Sequence, residues 1–430
     1  MVFNRFAGAA LAIAISALSA RMLTPGELGS LVAAVTSVAI LMRMASCGLG
    51  QAAQSYGARE STEKRFFGRA LIVATVPVSL MSLAALLLVG AMVGKLVLAR
   101  DPEAQELFQV LQYGIPLTVV HFVGSLYVLG RREMRWYLWM SVFPVLASVL
   151  VLVWGALENQ GLDAVVLAWM TQFVLSFLLG VQALVRRDQP ATVTLVRTVV
   201  ELYNYGWKSF GVSMAAFAAG RISLVMGAWF TNRAEVGLFA VGRSFAEALL
   251  LVYGAVGPLI FSYVGGMDHP KDRHLFIGRV CRVSFLVFAV ISVGIAIVAP
   301  IGTRLIFGSQ YAGSYVVVWM LLPGLVFSAQ QRILENYLWG RAKHVPLILV
   351  HAISILVVVG GGAIFAPNLG ATGIALASTM SFVVSFVLTV GIATRSDGLS
   401  VVGLVLPRAG DIRLLSRRFS SLAMGLWKER

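Results

Sequence analysis

Twelve apolar stretches, each close to the ~20 residues that cross a hydrocarbon layer as a helix, leave this chain few folds to choose from. They fall at roughly 6–23, 28–56, 70–94, 107–129, 137–157 and 164–185, and again at roughly 208–230, 236–263, 280–301, 313–339, 345–366 and 370–394. Only 12% of the 430 residues are charged, against about 25% in a soluble domain. The chain therefore reads as an all-α polytopic membrane protein with about twelve spans.

The spans come in two copies. Glu27-Leu28-Gly29 answers to Glu235-Val236-Gly237, and the offset 237 − 29 = 208 recurs within two residues elsewhere. Ser55-Tyr56 matches Ser262-Tyr263, Phe66-Phe67-Gly68-Arg69 matches Phe276-Ile277-Gly278-Arg279, and Gly130-Arg131 matches Gly340-Arg341. Each match is short, but a shared register marks an internal repeat. Two six-helix bundles follow, over residues 1–190 and 191–394, with a tail from 395 to 430. The second copy carries an entry segment, Glu201 to Trp207, with no counterpart in the first. On that alignment the first copy is expected to be clipped by about ten residues, either because the natural protein starts short or because its true start lies upstream.

The formal net charge of +15 raises the question of a nucleic-acid partner, and the placement of the charges answers it. With the N-terminus on the cytoplasmic side, the inside segments carry 25 of the 34 Lys and Arg, as the positive-inside rule requires. The outside loops carry Arg21, Lys95, Arg100, Arg233 and Arg304, and the remaining four arginines lie within spans. Both termini are expected in the cytoplasm, and no nucleic-acid partner is needed.

The first span has the outline of a secretory signal, with Asn4-Arg5 before an apolar core and Ser16-Ala17-Leu18-Ser19-Ala20 after it. Its internal counterpart at 208–230 argues that it is retained. The two cysteines, Cys47 and Cys281, are not equivalent in the repeat and carry no metal spacing. Outside loops are too short to hold a domain. In the tail, Ile412, Leu415, Phe419, Leu422 and Leu426 share a helical face, with Arg413, Arg417 and Arg418 elsewhere. That pattern suits a helix lying on anionic phospholipid, or a basic tail that only fixes orientation.

No catalytic constellation is present: the five histidines are scattered and no nucleophile motif or facing pair of carboxylates occurs. No cofactor is expected, and transport is the default. Its site is sought among charges inside spans, where each costs ~2.5–3.5 kcal/mol or more. Six qualify: Arg43, Arg221, Arg243, Glu247, Arg332 and Glu335. Arg243 and Glu247 are spaced i,i+4 and Arg332 and Glu335 i,i+3, so each pair can meet on one helix face. They are ion pairs with a structural role or parts of a site, with Glu247 also a candidate coupling group. Arg43 and Arg221 have no such partner and are the leading candidates for a cationic cavity. Four arginines against two glutamates point to an anionic cargo, and the planar fork of Arg suits phosphate or pyrophosphate. Pro77, Pro116, Pro144, Pro258, Pro323 and Gly360 to Gly362 are either moving bends or local packing.

With the repeat and these charges, the chain resembles the polysaccharide transporter branch of the multidrug/oligosaccharidyl-lipid/polysaccharide exporter superfamily, which includes O-antigen and exopolysaccharide flippases. The likeness is carried by Ala20 to Gly29 (ARMLTPGELG), by Gly48-Leu49-Gly50-Gln51, and by Ala234 to Phe239 (AEVGLF) followed by Arg243. It implies a MATE-like pair of six-helix bundles around a cavity. It also implies flipping of a polyprenyl-pyrophosphate-linked oligosaccharide across the bacterial inner membrane, with a polysaccharide polymerase and export proteins as partners. A positively charged lumen, as described for members, fits Arg43, Arg221, Arg243 and Arg332 by residue type. Where the family often has an acid before Gly-Leu-Gly, this chain has Ser46-Cys47. A multidrug antiporter of the same superfamily is the alternative, although cationic drugs would favour unpaired acids. A sugar porter of the major facilitator fold also has twelve spans, but Gly57 to Arg69 lacks its Gly-x-x-x-Asp-Arg pattern.

Overall fold

The computed structural model describes residues 2–63, 67–185, 195–251, 253, 269–340 and 345–405. The first half contains α1 (Val2–Met22), α2 (Pro25–Ala45), α3 (Leu49–Glu63), α4 (Gly68–Val97), α5 (Pro102–Leu111), α6 (Gly114–Gly130), α7 (Met134–Leu157) and α8 (Gly161–Val185). The second contains α9 (Leu195–Phe230), α10 (Arg233–Ala246), α11 (Pro270–Phe307), a 3-10 turn (Ser309–Tyr311), α12 (Ser314–Gly340), α13 (Val345–Asp397) and α14 (Val401–Val405). No strand occurs among the described residues.

Eight helices are long and apolar enough to cross a membrane, and α5 with α6 form a ninth span bent by 54°. α13 is two spans rather than one. Gly370 takes φ 56° and ψ −131°, a conformation that only the absence of a Cβ makes cheap, and the chain folds back on itself there. The legs are stitched by Ser354 and Ser381, whose hydroxyls lie 2.6 Å apart. With that second leg there are ten spans among the described residues; α1, apolar over Ala10–Met22, and the 14-residue α10 are shorter and stand at the two remaining span positions of the repeat. Large side chains such as Leu88, Val290 and Ile301 are exposed on the outer faces, as hydrocarbon permits and water would not.

The repeated sequence motif is a helix start. At α2, Thr24 accepts from the Glu27 N–H while the Glu27 carboxylate accepts from the Thr24 N–H at 2.8 Å, a reciprocal capping box with Pro25 opening the helix. At α10, Asn232 caps through the Glu235 N–H at 3.0 Å. Glu235 does not turn back to its own cap. Its carboxylate accepts from the Ala371 N–H at 2.7 Å, tying the start of α10 to the tip of the α13 hairpin.

These two starts meet each other. A Cβ on Gly29 would stand 1.8 Å from the Arg233 carbonyl oxygen, and one on Gly237 would stand 2.0 Å from that of Pro25. The glycines of the motif thus let α2 and α10 touch backbone to backbone where the halves join. Around them Leu23, Leu28 and Leu31 share one core with Val241, Phe307 and Tyr311. The carbonyls that α1 leaves open at its end are taken by the other half: Gln310 Nε2 donates to Ala20 and Leu23 at 2.8 Å each, and the Tyr311 hydroxyl to Leu23 at 3.0 Å. Arg233 pairs with Glu103 across the same end, which is therefore shut.

The expected boundary at 190/191, the loop from Arg186 and the amphipathic face at 412–426 lie outside the described residues, as do Ser262-Tyr263 and Pro258. α13 continues to Asp397, three residues past the expected edge of the second bundle. Pro77, Pro144 and Pro323 lie inside α4, α7 and α12, and Pro116 falls in the first turn of α6, beside the 54° bend.

Candidate substrate cavity

Between the halves, under the shut end, lies a cavity of about 290 Å³ bounded by α1, α2, α7, α8, α9 and α10. Its walls are mostly apolar, with Ser16, Ser19, Thr36, Gln172 and Ser244 interspersed. Three charged residues reach it: Arg221, Arg243 and Glu247. A few polar groups in an apolar cleft is the usual make-up of a ligand site.

Arg243 is held in place. It is only 8% exposed; its Nε donates to Glu247 at 2.7 Å, one Nη to the Ser223 hydroxyl at 2.6 Å, and the other to the Gly220 carbonyl. The i,i+4 pair expected from the sequence forms, and two α9 groups complete the guanidinium's bonding. Arg221 is the opposite case. It is exposed to the cavity, and among the described residues its guanidinium has no hydrogen-bond partner. Arg243 and Glu247 cancel, so Arg221 leaves the cavity with a net positive charge and a free fork of N–H donors.

Arg332 and Glu335 lie on a second, smaller cavity of about 50 Å³, bounded by α9, α12 and both legs of α13. Their i,i+3 spacing does not yield the expected pair. Glu335 instead accepts from Gln331 Nε2 at 2.8 Å and lies 3.2 Å from His351 Nε2, while Arg332 rests over the Tyr253 ring at 5.9 Å. Helical spacing allows a meeting, but a histidine on the neighbouring helix competes for the carboxylate. The two cavities share α9 as a wall, and Arg332 stands within electrostatic range of both Arg221 and Glu247.

Arg43 reaches neither cavity. It spans the seam between α2 and α9, with Nη2 donating to the Ser213 hydroxyl at 2.9 Å and its guanidinium carbon 4.3 Å and 5.6 Å from the Phe122 and Phe217 ring centroids. Gln51 meets the same hydroxyl at 2.7 Å.

Residues 18–317 match the family described as "Polysaccharide biosynthesis protein". The chain belongs to this family. Among curated proteins it is similar to the succinoglycan biosynthesis transport protein ExoT of Rhizobium meliloti (strain 1021), at 25% identity over 311 residues, covering 70% of this chain and 60% of the relative. The fold is that of a multidrug resistance MATE transporter of the MOP superfamily in its inward-facing conformation, with a TM-score of 0.77 at 14% identity over 93% of this chain and 98% of that one. It is shared by the lipid II flippase MurJ, with a TM-score of 0.68 at 14% identity over 94% and 87%. The major facilitator reading is thereby set aside, and the two six-helix bundles stand.

Sequence reasoning in this family member missed Ser223, the Gly220 carbonyl and His351. Each reaches an arginine or glutamate from another helix, and no spacing within one helix could reveal it. Ser16, Ser19, Thr36 and Gln172 were visible only as single polar residues inside apolar runs, a weak signal in helices where Ser and Thr also bond their own backbone. Ser19 differs in that its buried hydroxyl has no partner.

Proposed function

We propose that this chain is a flippase that carries a polyprenyl-pyrophosphate-linked oligosaccharide across the bacterial cytoplasmic membrane by alternating access. The observation that carries the reading is Arg221, a cation kept inside the membrane with no hydrogen-bond partner while its neighbour Arg243 has its bonds filled. A charge so placed is expensive, and an anion that it binds offsets the cost. Two pyrophosphate oxygens match the guanidinium fork, with Arg332 near enough to add field and the cavity hydroxyls to bond further oxygens.

The cavity's size supports a moving mechanism. At about 290 Å³ it sits at the lower edge of small-ligand sites, which run ~300–1,000 Å³. It suits a pyrophosphate head but not an oligosaccharide. The glycan therefore needs the halves to part, while the lipid tail stays in the bilayer. With the basic loops on the cytoplasmic side, as proposed from the charge distribution, the shut end with Thr24 and Asn232 is the outer one and the cavity belongs to the inward-facing half of the cycle. Anionic phospholipid at the basic tail, and a polysaccharide polymerase and export proteins downstream, complete the proposed setting.

The test is loss and rescue. Deleting the gene is expected to accumulate lipid-linked oligosaccharide on the cytoplasmic side and abolish surface or secreted polymer. Rescue with Arg221→Ala is expected to fail although the protein is made and inserted, and Arg221→Lys to rescue in part. Unchanged glycan together with new sensitivity to cationic drugs would move the chain to multidrug export and refute the cargo.

A further inference from the structure

The second cavity holds an arrangement that the proposed cargo site does not use. Glu335 and His351 face each other at 3.2 Å. His351 is 7% exposed, and the Ser385 hydroxyl that lines the same cavity is buried without a partner. Arg332, three residues before Glu335 and one helical turn away, lines this cavity and is not bonded to that carboxylate. One glutamate thus has two cationic candidates, one permanently charged and one that is a cation only when protonated.

We propose that Glu335 exchanges partners, between His351 when that ring is protonated and Arg332 when it is not, so that a proton on His351 releases Arg332 to the cargo anion. The inference rests on the anion-binding reading of the neighbouring cavity and adds its regulation. The physical step is the location of one compensating charge. A carboxylate buried here needs a cation. Protonated His351 can supply it at the 3.2 Å separation seen, and Arg332 is then left over the Tyr253 ring, free to turn to an anion beside Arg221. Neutral His351 can still donate a hydrogen bond but brings no charge, and Arg332 then closes the i,i+3 pair that its spacing permits.

The other charged or titratable groups facing these residues are few. From α9 comes Arg221, from α10 Arg243 and Glu247, already paired with each other, and beside Arg332 the Tyr253 hydroxyl, which accepts from Asn336 at 2.6 Å. The second leg of α13 brings Phe382 and Ser385 to the cavity, neither titratable near neutrality, and no described residue of α11 lines it. Imidazole is the only side-chain type among these whose ordinary range lies between pH 6 and 8.

The experiment uses the purified full-length protein in detergent, with inorganic pyrophosphate as the probe. Affinity is measured at pH 6 and pH 8 and expressed relative to wild type at each pH, which cancels the probe's own titration. Glu335→Gln, whose amide cannot hold Arg332 as an ion pair, is expected to bind about tenfold tighter than wild type at pH 8 and equally at pH 6, the worth of one charge-assisted hydrogen bond. His351→Gln, which leaves Arg332 as the only cation, is expected to bind about tenfold weaker than wild type at pH 6 and equally at pH 8. Effects of the same sign in both variants, or no effect in either, overturn the exchange. A second readout needs no anion: modification of Arg332 by a dicarbonyl reagent, measured by mass spectrometry against Arg221 in the same sample. The Arg332/Arg221 ratio is expected to fall from pH 6 to pH 8 in wild type and to stay level in Glu335→Gln; a level wild-type ratio overturns the proposal. If pyrophosphate binds wild type at neither pH, the anion-cavity reading fails, and the labelling ratio decides the exchange by itself.

Discussion

The repeat makes the seam between α2 and α9 equivalent to the seam between α10 and α1, yet the two are built differently. The seam of α9 with α2 and the following α3 is filled. Arg43 and Gln51 meet Ser213, Tyr56 reaches Glu201 at 3.4 Å, and a Cβ on Gly48 would stand 2.1 Å from the Gly206 carbonyl oxygen. At the α10/α1 seam, the hydrogen bond among the described residues is one long hydroxyl pair, Ser16 to Ser244 at 3.4 Å. Beside it a hollow of about 280 Å³ is lined by Ala12, Ile13, Ser244, Glu247, Ala248, Leu250 and Leu251. Much of the filling comes from the start of α9, through Glu201 and Gly206. The α2/α9 seam is thus closed by hydrogen bonds and backbone contact, and the hollow lies at the α10/α1 seam.

The comparison can be broken most forcefully by locking the hollow side. A Ser16→Cys/Ser244→Cys pair is expected to form a disulfide, which requires Cα atoms within about 7 Å, and to abolish glycan export until reduced. Export that survives a complete cross-link would show that the halves need not part at this seam. Next in size is Gly237→Val at the shut end, which both seams share. With no room beside Pro25, overpacking is expected to cost ~1–3 kcal/mol, read as a lower melting temperature in detergent, and to expose the outer end to thiol labelling in Cys reporters.

Arg43→Ala sharpens the contrast at the filled seam. It removes a bond to Ser213 and the contact with two aromatic rings, and a loss of about 1–2 kcal/mol is expected, while pyrophosphate affinity stays unchanged. Unaltered melting together with weakened binding would instead make Arg43 a cargo ligand. The smallest effect is expected at the caps. Thr24→Ala should cost ~1 kcal/mol, and Glu235→Ala, whose partner is the Ala371 N–H of the hairpin, a similar amount.

Much of this architecture is legible before any coordinates. Apolar run length predicts the spans, because a helix rising 1.5 Å per residue must cover about 30 Å of hydrocarbon. The Thr-x-x-Glu motif and its Asn-x-x-Glu echo mark helix starts, because capping is local. The Arg243–Glu247 pair is legible for the same reason, since one turn of one helix brings them together. Arg332 and Glu335 satisfy the same rule and do not pair, because a spacing rule is blind to a competitor on the next helix. Gly29 and Gly237 are conspicuous in the repeat, but nothing local tells that they face each other.

The sequence by itself determined the membrane, the helices, the duplication and the excess of buried positive charge. Each follows from composition or from contacts within a few residues, where the chain has little freedom. The tertiary structure alone decided which arginines are spent and which is free. Ser223 and the Gly220 carbonyl occupy Arg243, Ser213 occupies Arg43, and Arg221 is left to the cavity. A guanidinium has five donors and takes whichever acceptors packing brings within about 3 Å. Residues twenty or more positions apart are placed at that distance by helix packing, which local sequence does not encode.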